Sequence, residues 1–239
     1  MSFFQISITR FMTVYIAQGL MCVYFAYLAY KILKRDRKRL NLMFTGFYIS
    51  NFISLCINFI YAPITDENIV LIMHSITIFF AFYSPIFILV FELLVLKPEK
   101  VINTNKQKTI LIGYGVVLSF MIFFLLIEDW GVEIGPPDWT PHWMLPFFLY
   151  LVSIVSVCVV GPSFFISYQI YKKFEDAQLK RKWKYFIFGL GAFYACAYGI
   201  FISNFLDIPI FRTVIGITDL ILIISGAYLM YNGVGRQLE

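Results

Sequence analysis

The sequence predicts an all-α membrane protein: a seven-transmembrane helix bundle with its N-terminus outside and its C-terminus in the cytoplasm. Three observations carry that expectation. Hydrophobic residues make up 60% of the 239-residue chain and charged ones 14%, with a mean hydropathy of +0.79, whereas soluble domains need roughly a quarter charged residues to keep a wet surface. The charges cluster, and the apolar runs between them reach the ~20 residues a helix needs to cross the hydrocarbon core. The stretch NFIYAPI at 58–64 returns as NFLDIPI at 204–210, as if one helical unit occurred twice.

Seven apolar runs lie near residues 11–33, 42–63, 69–96, 109–127, 145–171, 185–206 and 212–232. Stretches such as IFILVFELLVL do not alternate as barrel strands do, so the spanning elements are helices. The leading MSFFQISITR has no basic n-region and no small-residue cleavage site follows helix 1, which is expected to be a retained anchor.

All but Arg10 and Arg212 of the 19 Lys and Arg fall after helices 1, 3, 5 and 7. They are the cluster from Lys31 to Arg39, then Lys97, Lys100, Lys106 and Lys108, then the cluster from Lys172 to Lys184, and finally Arg236. Basic loops stay in the cytoplasm, which sets the orientation at the cell membrane. Asp66, Glu67, Glu128, Asp129, Glu133, Asp138 and Asp207 concentrate on the other side. The net charge of +5 is therefore a topology signal, and no nucleic-acid partner is expected.

Both copies of the repeated stretch close the second helix of a three-helix group, and AYKIL (29–33) resembles IYKKF (170–174) upstream. The expected plan is one domain, 1–239, with repeat one at 11–97, a linker helix at 109–127 and repeat two at 145–232. Because each group starts outside, this is a parallel 3+1+3 repeat.

Polar residues inside spans mark sites or helix contacts. His74 and Glu92 are 18 residues apart, five turns at ~3.6 residues per turn, and share a face with Thr77, Ala81, Ser84 and Pro85. Phe79, Phe82 and Phe91 are assigned to a lipid-facing side. Helix 5 carries Ser153, Ser156, Ser163 and Ser167 at helical spacing, and helix 2 adds Asn51, Ser54 and Asn58. Such stripes either tie helices together, at ~0.6 kcal/mol per contact, or line a pocket. Asp219 lies ~10 Å below the outer end of helix 7 and His74 ~7 Å below that of helix 3. The two are expected to face each other across an outer-half cavity, with Asp219 accepting a hydrogen bond or charge from His74. The ligand-binding candidates are thus His74, Thr77, Asp219, Ser153, Ser156 and Asn58.

Glu92 either snorkels to the interface near Lys97 or couples the cavity to the cytoplasmic side. Lys180, Arg181 and Lys182 lie in KKFEDAQLKRKWK (172–184), where Asp176 and Lys180 are spaced as a helical ion pair. That segment fits topology, attraction to anionic lipid, or docking of a separate cytoplasmic signalling protein. In the loop EDWGVEIGPPDWTPHWMLP (128–146), Trp130, Trp139 and Trp143 serve either as interfacial anchors or as part of a lid. Gly191, Ala195 and Gly199 form a small-residue ladder on helix 6, for an internal neighbour or a homodimer.

Cys22, Cys56, Cys158 and Cys196 fall inside helices and are expected to pack as small apolar residues. There is no His/Cys metal spacing and no Ser-His-Asp arrangement, and the glycine pairs at 113–115 and 189–191 sit in apolar helices rather than phosphate loops. Neither a metal nor an enzymatic activity is expected.

The YSPIFILVFELL run of helix 3 (83–94) and the TDLILI run of helix 7 (218–223) resemble the corresponding cores of microbial rhodopsins. The family's retinal-bearing lysine would fall at Ile223, and no span core holds a Lys, so covalent retinal is not expected. The chain is also similar throughout to the seven-helix sensor modules that precede prokaryotic histidine kinases. That resemblance implies a receptor-like sensor of a small or lipidic ligand. The chain stops at GVGRQLE, so its output is expected to pass to a separate protein. A ligand between helices 3, 5, 6 and 7 would shift the helix packing. The alternative is a small-solute transporter with a midplane site between the repeats, and a sealed membrane scaffold is the third reading.

Overall fold

The computed structural model describes residue 6 and residues 8–97, 101–135 and 139–235. Lys100, Asp138, Arg236 and most of residues 1–7, all used in the charge and anchor readings, lie outside the described residues. Seven helices among the described residues are long and apolar enough to cross a membrane, making this a multi-pass membrane protein: α1 Met12–Arg35, α2 Arg39–Tyr61, α3 Glu67–Leu96, α4 Thr104–Leu125, α5 Leu145–Lys173, α6 Ala177–Leu206 and α7 Pro209–Val234. Between α4 and α5, β1 (Val132–Glu133) and β2 (His142–Trp143) pair antiparallel as a short strap.

Local chemistry explains where the helices start and stop. The side chains of Asp66, Asn103 and Asp176 accept hydrogen bonds from the free backbone N–H groups of Ile69, Lys106 and Gln178 at 2.9, 3.0 and 2.7 Å, the usual work of an N-cap. Asp176 is thereby used as a cap. α6 ends at Asp207 in the left-handed conformation (φ 52°), and Pro209 opens α7, where its missing N–H costs nothing. Both copies of the repeated stretch therefore mark helix ends on one face of the bundle, here termed the N-terminal face. The Lys/Arg clusters lie at the opposite, basic face.

Helices in lipid associate through close packing and hydrogen bonds rather than through burial from water. α3 and α6 occupy the middle: 56% of the most apolar stretch of each is buried, against 17% for α4. This enclosure corrects the lipid-facing assignment of two phenylalanines. Phe82 stacks on Phe201 of α6 with ring centroids 4.4 Å apart, and Phe91 lies 5.3 Å from Phe44 of α2. Hydroxyls tie the neighbours to α3, with Ser50 and Ser54 donating to the carbonyls of Phe80 and Thr77 at 2.7 and 2.9 Å and Tyr114 donating to that of Phe82 at 2.8 Å.

α6 and α7 approach closely at Gly189, where a Cβ would stand 2.4 Å from the Gly226 carbonyl oxygen. The expected small-residue ladder meets this internal role at one of its three positions. Gly191 faces Phe164 of α5, Gly199 faces Ile215 and Asp219 of α7, and Ala195 is exposed. The three do not form one outward stripe for a second copy.

Among the described residues three stretches are wound as π-helix: Met12–Gln18 in α1, Ser156–Val160 in α5 and Tyr231–Gly235 at the end of α7. The one in α5 resets its inward face. Four-residue steps through Phe147, Leu151, Val155, Val159 and Ser163 stay buried, whereas Ser153 is exposed and Ser156 only half-buried. A 3.6-residue period projects the serines inward together; the wider turn holds i and i+4 in register and brings valines there instead.

Candidate functional site

A cavity of about 530 Å³ opens among α1, α2, α3, α6 and α7 in the half of the bundle next to the N-terminal face. The π-wound start of α1 contributes Thr13, Val14 and Gln18 to its wall. Asn58 crosses from the last turn of α2 and donates through Nδ2 to Gln18 Oε1 at 2.5 Å. Asn204, the matching residue of the second motif copy, lines the same cavity from α6. Thr77 lines it from α3 while its hydroxyl donates back to the Met73 carbonyl at 2.9 Å. The floor is apolar and aromatic, formed by Phe25, Phe82, Pro85, Phe193 and Ile223. Thr140 and Pro141, just before β2, reach the cavity from the strap.

His74 and Asp219 both line this space, yet no hydrogen bond or ion pair joins them, contrary to the expected pairing. The ring nitrogens of His74 are engaged elsewhere. Trp143 Nε1 donates to His74 Nε2 at 3.0 Å, and Tyr61 Oη lies 2.9 Å from Nδ1. An indole N–H can only donate, so Nε2 is the acceptor and Nδ1 carries the hydrogen that goes to Tyr61. His74 thus has no donor left for Asp219.

Trp143 is fully buried, with its ring 5.2 Å from Phe147, 5.8 Å from Phe201 and 6.3 Å from Phe82. It is a core residue of the bundle rather than an interfacial anchor. The strap that delivers it is further fixed by His142, whose Nε2 sits 3.0 Å from the Phe205 carbonyl oxygen.

Arg212 stands at the same end of the cavity. Its Nη2 pairs with Asp207 Oδ1 at 2.8 Å and donates to the Pro141 carbonyl at 2.6 Å, fastening the α6–α7 turn to the strap. Asp219, 6% exposed, is set differently: Cys196 Sγ lies 3.9 Å from its backbone oxygen, and Gly199 leaves room for the carboxyl, whose Oδ1 would be 3.5 Å from a Cβ there.

Two of the expected ligand residues lie elsewhere. α5 does not line the cavity; Ser153 is exposed, and Ser156 is hydrogen-bonded to the Tyr198 hydroxyl at 2.5 Å. Their place is taken by residues of α1, from which no site residue was expected. Gln18, a polar side chain within a span, was the available signal there, and Arg10 and Arg212, the two basic residues out of place in the charge pattern, both line the cavity.

Glu92 belongs to a separate cluster towards the basic face. It is fully buried and does not snorkel towards Lys97. Ser167 donates to Glu92 Oε1 at 2.5 Å, Tyr194 donates to Ser163 Oγ at 3.1 Å, and Trp183 Nε1 donates to the Ser167 carbonyl at 2.9 Å. Glu92 Oε2 has no hydrogen-bond partner among the described residues. Lys180, Arg181 and Lys182 sit in the first turns of α6, half-buried, exposed and half-buried in turn, with Arg181 Nε donating to Tyr185 at 3.0 Å. The described residues contain no group of three His, Cys, Asp or Glu placed to hold a metal ion.

No family model matches the chain, and no curated protein or solved structure matches it.

Proposed function

We propose that this protein is a receptor-like seven-helix sensor of the cell membrane. A small or lipidic ligand occupies the cavity from the outer side, and the change in helix packing passes to a separate cytoplasmic protein. In this reading the N-terminal face is outside, the basic face is cytoplasmic, and two parallel three-helix repeats flank α4. The observation that carries it is the asymmetry of the bundle. One half holds a cavity with His74, Thr77, Asn58 and Asp219 in its walls. In the other half, between α2, α3 and α6, Phe44, Phe91 and Phe186 pack with their rings 5.3 to 6.4 Å apart, and the Glu92 cluster is hydrogen-bonded among α3, α5 and α6.

A cavity in one half above an aromatic, hydrogen-bonded core in the other suits ligand sensing, in which binding needs only to favour one of two packings. α6 is the natural conductor, running from Cys196 and Phe193 in the cavity wall to Lys180, Arg181 and Lys182 at the basic end. Glu92 and its hydroxyl partners lie between these points.

Two experiments test this reading. Single cysteines at positions 66 and 175, labelled by an impermeant reagent in sealed cells, should react from outside at 66 and stay protected at 175; the reverse result sinks the orientation. Proteoliposomes loaded with candidate solutes should show no flux above protein-free vesicles, because uptake through the protein would make it a transporter with a midplane site instead.

A further inference from the structure

The wall of the cavity holds one acid without a matching base. The Asp219 carboxyl is 6% exposed, and no Lys, Arg, His, amide or hydroxyl of the described residues bonds to it. The other charged or titratable groups lining the cavity are Arg10, Arg212, His74, Tyr61 and Cys196. Arg212 is held by Asp207, by the Pro141 carbonyl and, through Nε at 3.4 Å, by the Ser203 carbonyl. It also stands seven residues up α7, ~10 Å along the axis. Arg10 precedes α1 at the mouth, and both ring nitrogens of His74 are engaged by Tyr61 and Trp143. Around Asp219 the wall is instead apolar, with Ile215, Ile223 and Ala197, apart from the Cys196 thiol, a weak donor that hydrogen-bonds to Asp219.

From this juxtaposition, and building on the proposed sensor site, we infer that the cavity takes a small organic cation, a protonated amine on an apolar body. Its ammonium sits on Asp219 and its body lies over Phe25, Phe82 and Phe193. A carboxylate in a dry wall is costly until a cation or several donors reach it. An ammonium satisfies it with three N–H groups, and the aromatic floor packs the apolar body. The space of about 530 Å³ falls within the range of small-ligand pockets.

The test uses the full chain in lipid nanodiscs and three probes of one skeleton: 2-phenylethylammonium, 2-phenylethanol and 3-phenylpropionate. A ligand that binds the folded state raises the unfolding midpoint in proportion to its occupancy. The ammonium should bind at least about tenfold more tightly than the alcohol and the carboxylate. Asp219→Asn should reduce it to the level of the alcohol. If the alcohol or the carboxylate binds as tightly as the ammonium, the cation class is wrong while the ligand site stands. If none of the three raises the midpoint, the organic-cation inference falls, while the sensor reading, which also admits a lipidic ligand, is decided by the labelling and flux experiments. The comparison among probes needs only the unsubstituted chain, so the cation class is decided even where the Asp219→Asn protein does not fold.

Discussion

The indole N–H of Trp143 donates to Nε2 of His74 at 3.0 Å, across 69 residues of sequence. One partner comes from a two-residue strand outside the membrane spans and the other from the middle helix α3. The bond pins the strap into the bundle and, because it makes Nε2 an acceptor, dictates that Nδ1–H serves Tyr61. One contact thus sets the position of a connection, the tautomer of a cavity histidine and the link between α2 and α3.

Trp143→Phe keeps a ring in the pocket but leaves Nε2 of His74 buried and unpaired. The expected loss is about 1–3 kcal/mol of stability, the usual penalty for orphaning a buried polar group. Unfolding midpoints in nanodiscs measure it. Adding His74→Leu to Trp143→Phe should cost less than the two single losses together; strict additivity would show that the bond contributes nothing.

The α6–α7 crossing tolerates no side chain at its closest point. Gly189→Val forces the helices apart against the Gly226 backbone, and a destabilisation of about 1–3 kcal/mol or more is expected. Ala195→Val, on the exposed side of the same helix, should stay within about 0.5 kcal/mol. Equal midpoints for both variants would contradict the packing described.

On α5 the π-wound turn makes a prediction opposite to that of the plain helical period. Val159→Ser removes packed methyl groups from the core, so it should cost about 1–3 kcal/mol. Ser153→Leu should be close to neutral, within about 0.5 kcal/mol. Thermal unfolding of the two single variants decides between the registers.

Ser167→Ala removes the hydroxyl that donates to Glu92 Oε1 and leaves a fully buried carboxyl without its described hydrogen-bond partner. A loss of about 1–3 kcal/mol is expected. Ser167→Thr, which restores the donor, should recover part of it. No difference between Ala and Thr at this position would argue that the Glu92 cluster is not held by that bond.

Most of the architecture was legible in the linear chain. Seven apolar runs bounded by charge become seven helices, since a backbone in hydrocarbon must satisfy its own hydrogen bonds. Asp66, Asp176 and Pro209 announce helix starts by short-range chemistry that needs no tertiary partner. His74, Thr77, Asn58 and Asp219 were recognisable as cavity residues because ionisable and amide groups in a span are too costly to leave facing lipid. Folding alone decided which group meets which. The period of 3.6 misplaces Ser153 because one π-wound turn alters the register of α5. Phe82 and Phe91 look like lipid contacts until the neighbouring helices cover more than half of α3. Trp143 reads as an interfacial residue until the strap carries it inward, and His74 turns to it and Tyr61 rather than to Asp219. Composition and local pattern determine the spans, their ends and the residues that must avoid lipid, because those are properties of one segment in one solvent. The pairing of side chains is a property of several segments at once, and it emerges only when close packing selects a single arrangement among them.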